Sequence, residues 1–146
     1  MANILYYTHT GTRWLVVLAI VFALGFMIYS LVTKREQDRV TRIAMLAFSS
    51  LIGIQWIVGI LYYLTYGNLI NNYTRTGWTL HLTVMTIALV TAHLYLPFRR
   101  TMGNRGYYIA SLVVVVLTSG LIIYGTSALL GTLASRWSLM PLYPPA

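Results

Sequence analysis

Five polar side chains within or beside the long apolar stretches of this sequence could carry chemistry: His9, Arg13, Gln55, His81 and His93. Neutral imidazole ligates haem iron and exchanges protons near neutral pH, and arginine pairs with carboxylate or phosphate groups. The chain has no cysteine. This excludes thiolate metal sites, haem attached through cysteine and cysteine nucleophiles. The candidate chemistry is therefore that of histidine.

Two acidic residues, Glu36 and Asp38, stand together in one charged segment. Catalysis by paired carboxylates is not expected, because such pairs flank a substrate from separate positions. The sequence also has no nucleotide-binding loop and no nucleophile–base pair. The net charge of +8 comes from basic residues scattered between apolar runs, whereas nucleic-acid binding needs a basic stripe. The sequence predicts neither a self-sufficient enzyme nor a nucleic-acid partner.

Four apolar segments must position the candidate residues, and they run over about residues 11–33, 43–66, 78–97 and 107–130. Each approaches the roughly 20 apolar residues that a helix needs to cross a bilayer. Of all residues, 58% are hydrophobic and 8% are charged, whereas a soluble domain has about a quarter charged. The first segment is too long for a signal-peptide core, so we expect a mature helix. The connections are short, which predicts one domain over residues 1–146, an all-α, up-down-up-down four-helix membrane bundle.

The distribution of basic residues predicts the orientation of this bundle. Seven of the ten Lys and Arg residues lie in the first and third connections. By the positive-inside rule these connections are cytoplasmic, and both termini lie on the outer side. A tail over residues 133–146 is rich in proline and cannot extend the fourth helix, so it is expected on the outer side. Aromatic residues near the segment ends, among them Tyr62, Tyr95, Tyr107 and Tyr108, are interpreted as interfacial anchors.

The depth of each histidine follows from this topology. His9 lies at the outer mouth of helix one, and His81 lies about one turn below the outer end of helix three. Two histidines are therefore expected at comparable depth on the same side of the membrane. His93 is expected roughly 18 Å deeper, at about 1.5 Å per residue, close to the inner surface.

Helix three presents two stripes at about 100° per residue. His81 shares its stripe with Met85, Ala88 and Ala92, whereas His93 shares the other with Thr79, Thr83 and Thr86. Close helix packing is favoured for the alanines over a slot for a flat ligand, and both remain open.

Small residues and one amide predict further helix contacts. Ser49 with Gly53 and Gly120 with Gly125 are expected to set helix packing. Gln55 is expected to bond across to another helix or to a backbone carbonyl, and a quinone-facing role is the alternative.

Two outer histidines on diagonal helices could hold one b-type haem in a four-helix bundle, with Arg13 pairing with a propionate. In the opposing interpretation, His9 and Arg13 are polar residues of the interface, and His81 bonds a threonine or the backbone of a neighbouring helix. A quinol or other ligand site is a third alternative. A zinc site is weaker still, because no third ligand lies at the same depth.

Residues 9–14 read His-Thr-Gly-Thr-Arg-Trp and open directly into an apolar helix. This element resembles the start of small bacterial four-helix membrane proteins labelled cytochrome b or cytochrome-b-like. Residues 55–63, Gln-Trp-Ile-Val-Gly-Ile-Leu-Tyr-Tyr, are similar to the family's second helix, and His81 falls where the family places a histidine on helix three. The resemblance implies haem b with His9 and His81 as ligands, in the bacterial cytoplasmic membrane.

These observations together favour a small integral membrane subunit of a respiratory or photosynthetic electron-transfer complex. Its expected partners are larger integral membrane subunits, lipid and quinone, and the outer histidines would hold haem b or border a quinol pocket. The alternative is a cofactor-free accessory subunit that stabilises a larger membrane complex. A transporter or channel is disfavoured, because a permeation path is normally lined by more polar residues.

Overall fold

The computed structural model describes residues 2–66 and 75–130, and helices dominate both stretches. The helices are α1 (Ala2–Val32), α2 (Arg39–Tyr66), α3 (Arg75–His93), α4 (Tyr95–Thr101) and α5 (Asn104–Leu130). The proline-rich tail predicted over residues 133–146 lies outside the described residues.

Four helical stretches are long and apolar enough to cross a membrane: Ile4–Val32, Arg39–Thr65, Thr79–Thr101 and Asn104–Ser127. The predictions of an all-helical fold and of four helices long and apolar enough to cross a membrane are therefore confirmed for the described part of the chain. The first helix begins at Ala2, well before the predicted residue 11. Residues 2–10 contain no proline or glycine, and their polar side chains do not stop a helix.

The third candidate span is interrupted at Leu94, between α3 and α4. The N–H of Leu94 donates to the carbonyl of Thr91 at 3.1 Å, a tighter turn than in an α-helix. Pro97 explains the break, because it has no N–H to donate to the carbonyl of His93 and its ring crowds that carbonyl. The segment was expected to end at Pro97, but α4 continues to Thr101.

The helices pack in a defined set of pairs. α1 and α3 each pack against both α2 and α5, and α4 packs against α5. The core where they meet includes Met27, Met45, Phe48, Ala92 and Val115. The outward faces carry many exposed leucine, isoleucine and valine side chains, which suits a surface covered by lipid.

Four tyrosines interpreted as interfacial anchors are buried inside the bundle: Tyr62, Tyr95, Tyr107 and Tyr108. Polar groups inside the bundle account for two of them. The hydroxyl of Tyr95 lies 3.4 Å from Oγ of Ser49. The hydroxyl of Tyr108 donates to the carbonyl of Glu36 at 2.9 Å. These side chains therefore pack between helices instead of facing the lipid interface.

The connection between α1 and α2, together with the α4–α5 turn, forms what we call the basic end, residues 33–42 and 99–108. Lys34 adopts a left-handed conformation with φ of 50° after the end of α1. The N–H of Arg35 donates back to the carbonyl of Ser30 at 3.1 Å, which closes this helix terminus. Asp38 then caps α2, since its Oδ1 accepts from the backbone N–H of Thr41 at 2.8 Å and from its hydroxyl at 2.9 Å.

An ion pair and hydrogen bonds stabilise the basic end. Arg35 donates to Oδ2 of Asp38 at 2.6 Å. The hydrogen bonds from Thr41, assisted by Arg35, hold the pKa of the Asp38 carboxyl below its ordinary value. The first residues of α5 join this network, because Asn104 accepts the backbone N–H of Gln37 at 3.3 Å.

Candidate functional site: the paired histidines

His9 is fixed on α2 by the amide of Gln55. The Nε2 group of Gln55 donates to the backbone carbonyl of His9 at 2.8 Å and lies 3.2 Å from Nδ1 of the imidazole. On the other side of the amide, the hydroxyl of Thr12 donates to Oε1 of Gln55. The prediction that Gln55 bonds across to another helix and to a backbone carbonyl is confirmed.

These contacts orient the amide of Gln55. A backbone carbonyl can only accept, so the Gln55 atom beside it must be the NH2 group, which has two hydrogens. Nδ1 of His9 lies 3.2 Å from the same nitrogen, and the ring also has a hydrogen bond with the backbone of Gln55. The side chain and the backbone of Gln55 therefore both fix the His9 ring on α2.

Gly59 and Tyr62 of α2 also pack against the His9 ring. Gln55, Gly59 and Tyr62 are spaced by four and three residues, so they share one helix face. A Cβ added at Gly59 would lie 2.9 Å from Cε1 of His9, too close for any larger residue without movement of the ring. The Tyr62 ring is nearly parallel to the imidazole, at 12°, with the centroids 6.3 Å apart.

His81 is held by α5 in a different way. Its Nδ1 lies 2.9 Å from the backbone carbonyl of Gly125. Because a carbonyl only accepts, Nδ1 of His81 must carry the proton, and Nε2 holds the lone pair. Gly125 allows α3 and α5 to approach, since a Cβ there would lie 2.6 Å from Cε of Met85 and 3.0 Å from Cγ1 of Val84. The bond to the backbone of a neighbouring helix, which the opposing interpretation offered for His81 beside a bond to threonine, is present.

The structure brings three predicted residues together. His81 and Arg13 both lie within electrostatic range of His9, although they come from α3 and from the next turn of α1. The Arg13 guanidinium lies 5.5 Å from the centroid of the adjacent Trp14 ring. We call this region, His9 and Arg13 with Gln55, Gly59 and the His81–Gly125 pair, the histidine end.

His93 lies away from this site. It is exposed on α3, and its Nδ1 lies 2.8 Å from the carbonyl of Leu89 in the same helix. The stripe that contains His81 turns inward, because Ala88 and Ala92 are fully buried. The structure thus supports packing as the role of these alanines. Gly120 and Gly125, both expected to set helix packing, differ in their surroundings. A Cβ at Gly125 would lie 2.6 Å from Cε of Met85, whereas nothing lies within 4 Å of a Cβ at Gly120.

The sequence interpretation missed Thr12, Gly59 and Tyr62. A signal was present, because Gly59 and Tyr62 follow Gln55 at helical spacing, which places them on the face that carries the cross-helix amide. Thr12 lies three residues after His9 and so flanks it on α1. These residues help to position His9 and its partner Gln55.

Haem b is the group that the sequence resemblance implies, and its axial positions require lone pairs on two imidazole nitrogens. His81 fits this requirement, since a ligand histidine commonly donates its other N–H to a backbone carbonyl. At His9, the Gln55 amide lies 3.2 Å from Nδ1 and the ring also bonds the backbone of Gln55, so these contacts would have to change before this ring could ligate iron. Within residues 2–66 and 75–130, no group of three His, Cys, Asp or Glu residues could hold a metal ion.

Comparison of the chain with protein-family models, with curated proteins and with solved structures found no match. The resemblance of residues 9–14 to cytochrome-b-like proteins stays a prediction. The fold and the site define the class: a helical protein with four helices long and apolar enough to cross a membrane, and with two histidines that are each bonded to a neighbouring helix.

Proposed function

We propose that this chain is a small integral membrane subunit of a bacterial respiratory or photosynthetic electron-transfer complex, and that its histidine end borders a quinol-handling site. One observation carries the proposal: His9 of α1 and His81 of α3 are each fixed by a neighbouring helix, His9 by the Gln55 amide of α2 and His81 by the Gly125 carbonyl of α5. Ionisable residues inside membrane-spanning segments are costly and usually mark functional sites. The chain has few of them, which makes this pair its best candidate.

The membrane orientation belongs to the same proposal. In it, the helices alternate up and down, the basic end faces the cytoplasm, and the histidine end and both termini face the outer side. The excess of basic residues in the first and third connections supports this orientation. A reporter enzyme fused after Ala146 should be active only on the outer side of the cytoplasmic membrane. Cytoplasmic activity would place the histidine end on the inner face.

Association with a larger complex is tested by extraction of the native membrane in mild detergent, followed by size analysis and detection of this chain. The expected result is migration with larger integral membrane subunits that carry redox cofactors. Migration as a lone 16.5 kDa chain would contradict the proposal. Migration in a complex without redox subunits would favour the cofactor-free accessory role instead.

Haem b is a second candidate occupant of the histidine end, and the bond from His81 to Gly125 favours it. When bound, haem would supply one-electron transfer, and His81 would hold it from α3 while Arg13 could pair with a propionate. His9 could serve as the second ligand only after its hydrogen bonds with Gln55 rearranged.

A difference spectrum, dithionite-reduced minus oxidised, tests this candidate in the purified protein. A b-type signal that disappears in both His9→Ala and His81→Ala would establish haem at this site. A folded, colourless protein would remove it. His93→Ala is the matched control, because His93 is exposed and its Nδ1 lies 2.8 Å from the carbonyl of Leu89 in its own helix.

A further inference from the structure

One side of α2 carries both cations and exposed apolar side chains. At about 100° per residue, six exposed positions lie within about 120° of the helix circumference. From the basic end onward they are Arg39, Arg42, Ile43, Leu46, Ser50 and Ile54. The opposite side of the same helix faces the core, where Thr41, Ala44 and Met45 are buried. We call the six exposed positions the α2 stripe.

The two arginines of the α2 stripe have no carboxylate partner among the described residues. Of the two acidic residues of the chain, Asp38 has both carboxylate oxygens engaged, since Oδ1 accepts from Thr41 and Oδ2 accepts from Arg35. In the part of the chain that the structure describes, the one ion pair is that between Arg35 and Asp38. Arg39 and Arg42 therefore present two guanidinium groups to the surroundings of the helix.

The rest of the basic end adds to this positive charge. Seven Lys and Arg residues stand there against two acids, an excess of five charges. The two connections meet, because the backbone N–H of Gln37 donates to Asn104 at 3.3 Å and the Tyr108 hydroxyl donates to the carbonyl of Glu36 at 2.9 Å. Like charges repel, so a ligand with its own ammonium group is disfavoured beside them. Guanidinium groups pair with phosphate in bidentate hydrogen bonds. The charge thus favours a phosphate group on a molecule that has no cation of its own.

The apolar part of the α2 stripe has the length of one membrane leaflet. From Ile43 to Ile54 it extends about 17 Å, at about 1.5 Å per residue. The hydrocarbon core of a bilayer is about 30 Å thick, so one leaflet takes about half of this. The helix itself is long and apolar enough to cross a membrane. A free anion or an acidic peptide in water would use only the arginines, whereas a phospholipid would also cover the apolar side chains.

We infer that the α2 stripe binds an anionic phospholipid of the phosphatidylglycerol type. Arg39 and Arg42 hold its phosphate, and the apolar side chains from Ile43 to Ile54 contact an acyl chain. Phosphatidylcholine has the same phosphate and acyl chains, but its ammonium group would lie against the excess positive charge of the basic end. The inference goes beyond the proposed electron-transfer role, and it requires only that α2 crosses the membrane.

A fluorophore on the α2 stripe tests which lipid lies there. Because the chain has no cysteine, Ser50→Cys can be labelled with bimane at a single position, about 12 Å from Arg42 along the helix. The full-length variant is reconstituted in phosphatidylcholine vesicles that contain the same small fraction of either brominated phosphatidylglycerol or brominated phosphatidylcholine. Bromine on an acyl chain quenches the dye on contact, so the quenching measures occupancy by each lipid. We expect each arginine to favour the anionic lipid by about two- to fivefold at low salt.

Ile57→Cys, labelled in the same way, is the matched control for position. Ile57 is exposed on the same side of α2, but it lies about 22 Å from Arg42 and therefore in the other leaflet. Here the two brominated lipids should quench equally. At Ser50→Cys the preference should shrink in 1 M salt, where the screening length is about 3 Å.

Neutralised variants in the Ser50→Cys background test the two arginines. Arg39→Gln and Arg42→Gln should each reduce the preference by about two- to fivefold, and the double substitution should remove it. Glutamine retains helix propensity, and unchanged quenching by brominated phosphatidylcholine shows that each variant is folded and inserted. Arg105→Gln is the matched control for charge. It removes one exposed cation of the basic end from α5, which packs against α1 and α3, and it should leave the preference nearly unchanged.

Three results would overturn the inference. The first is equal quenching by the two lipids at Ser50→Cys. The second is an equal loss of preference in Arg42→Gln and Arg105→Gln, which would indicate a diffuse surface charge instead of a site. The third is weak quenching by both lipids at Ser50→Cys together with strong quenching at Ile57→Cys, which would mean that a second copy of the chain covers the α2 stripe.

Discussion

The histidine end and the basic end use polar residues in opposite ways. At the basic end, polar groups bond to each other and to helix termini: Asp38 caps α2 through Thr41, and Tyr108 joins α5 to the carbonyl of Glu36. At the histidine end, hydrogen bonds tie two imidazole rings to neighbouring helices, His9 to Gln55 of α2 and His81 to Gly125 of α5. Polar groups at the basic end thus stabilise helix ends, whereas those at the histidine end fix two titratable rings between helices.

Glycine also differs between the two ends. Gly59 packs against the ring of His9, and the carbonyl of Gly125 bonds to His81. A Cβ at either glycine would lie less than 3.0 Å from a neighbouring side chain. At the basic end, nothing lies within 4 Å of a Cβ at Gly103. Close helix approach is therefore a property of the histidine end, where small residues bring backbones together.

Gly125→Ala should have the largest effect on stability. The new Cβ would lie 3.0 Å from Cγ1 of the stiff, buried Val84, and α5 would have to move away from α3. Overpacking of this kind costs about 1–3 kcal/mol. We expect a lower unfolding temperature in detergent and a weakened bond from His81 to the Gly125 carbonyl.

Gly120→Ala, on the same helix, is the control for this substitution, because its Cβ meets nothing within 4 Å. In an exposed helical position, alanine is more stable than glycine by roughly 0.5–1 kcal/mol. The two variants should therefore change the unfolding temperature in opposite directions. If Gly125→Ala were as stable as Gly120→Ala, the tight α3–α5 contact would be contradicted.

Gly59→Ala should have the second-largest effect, and it acts on the ring of His9. The Cβ would lie 2.9 Å from Cε1 and 3.4 Å from Nδ1 of His9, so the imidazole must shift away from Gln55. We expect a loss of stability of about 1–2 kcal/mol, at the lower part of the range for overpacking, because a side chain moves more readily than a helix. The measurement is thermal unfolding together with the ¹⁵N signals of His9.

Gly53→Ala is the matched control on α2, because its Cβ would meet only Cδ1 of Leu89 at 3.8 Å, an ordinary contact. This variant should leave the His9 signals unchanged. Unchanged His9 signals in Gly59→Ala would show that the ring does not rest on α2.

The sequence predicted the larger features because each has a strong physical signal. Apolar length identified the four spans. Helical spacing placed His81 on one stripe with Ala88 and Ala92, and the structure shows that these alanines are buried. The scarcity of polar residues indicated that Gln55 would bond to another helix or to a backbone carbonyl.

Other features lacked such a signal. Lipid and protein interior are both apolar, so hydrophobicity does not tell which side of a membrane helix faces inward, and the buried positions of Tyr95, Tyr107 and Tyr108 were not predicted. The hydrogen-bond partners of His9 and His81 are atoms of other helices, and these are known only once helix rotation and depth are set.

Tyr108→Phe tests the basic end and should have a smaller effect. The substitution removes the hydroxyl that donates to the Glu36 carbonyl at 2.9 Å and lies 3.1 Å from Oγ1 of Thr41. Loss of one such hydrogen bond costs about 1 kcal/mol. The histidine signals should not change, since the two ends are separate. Tyr124→Phe is the control, because Tyr124 is exposed on α5 and its loss of a hydroxyl should leave the unfolding temperature unchanged.

The smallest effect is expected from the acid titration of Asp38. Its pKa is lowered in the folded protein by the hydrogen bonds from Thr41, with Arg35 assisting. The stability that it contributes is therefore fully present above the unfolded value of about 3.9, and it is lost as the pH falls through the lower folded value. Water reaches this carboxylate, so the effect is screened.

Asp38→Asn separates the cap from the charge, because asparagine also caps helices but does not titrate in this range. We expect the unfolding temperature of the unaltered chain to fall relative to that of Asp38→Asn between about pH 5 and about pH 2. A constant difference across this range would show that the carboxylate has no special interactions in the folded state. The ¹⁵N signals of His9 and His81 should be the same in both proteins at each pH, because the groups around Asp38 belong to the basic end. A change in those signals on Asp38→Asn would mean that the basic end and the histidine end are coupled through the helices that join them. The description of the two ends as separate would then be wrong.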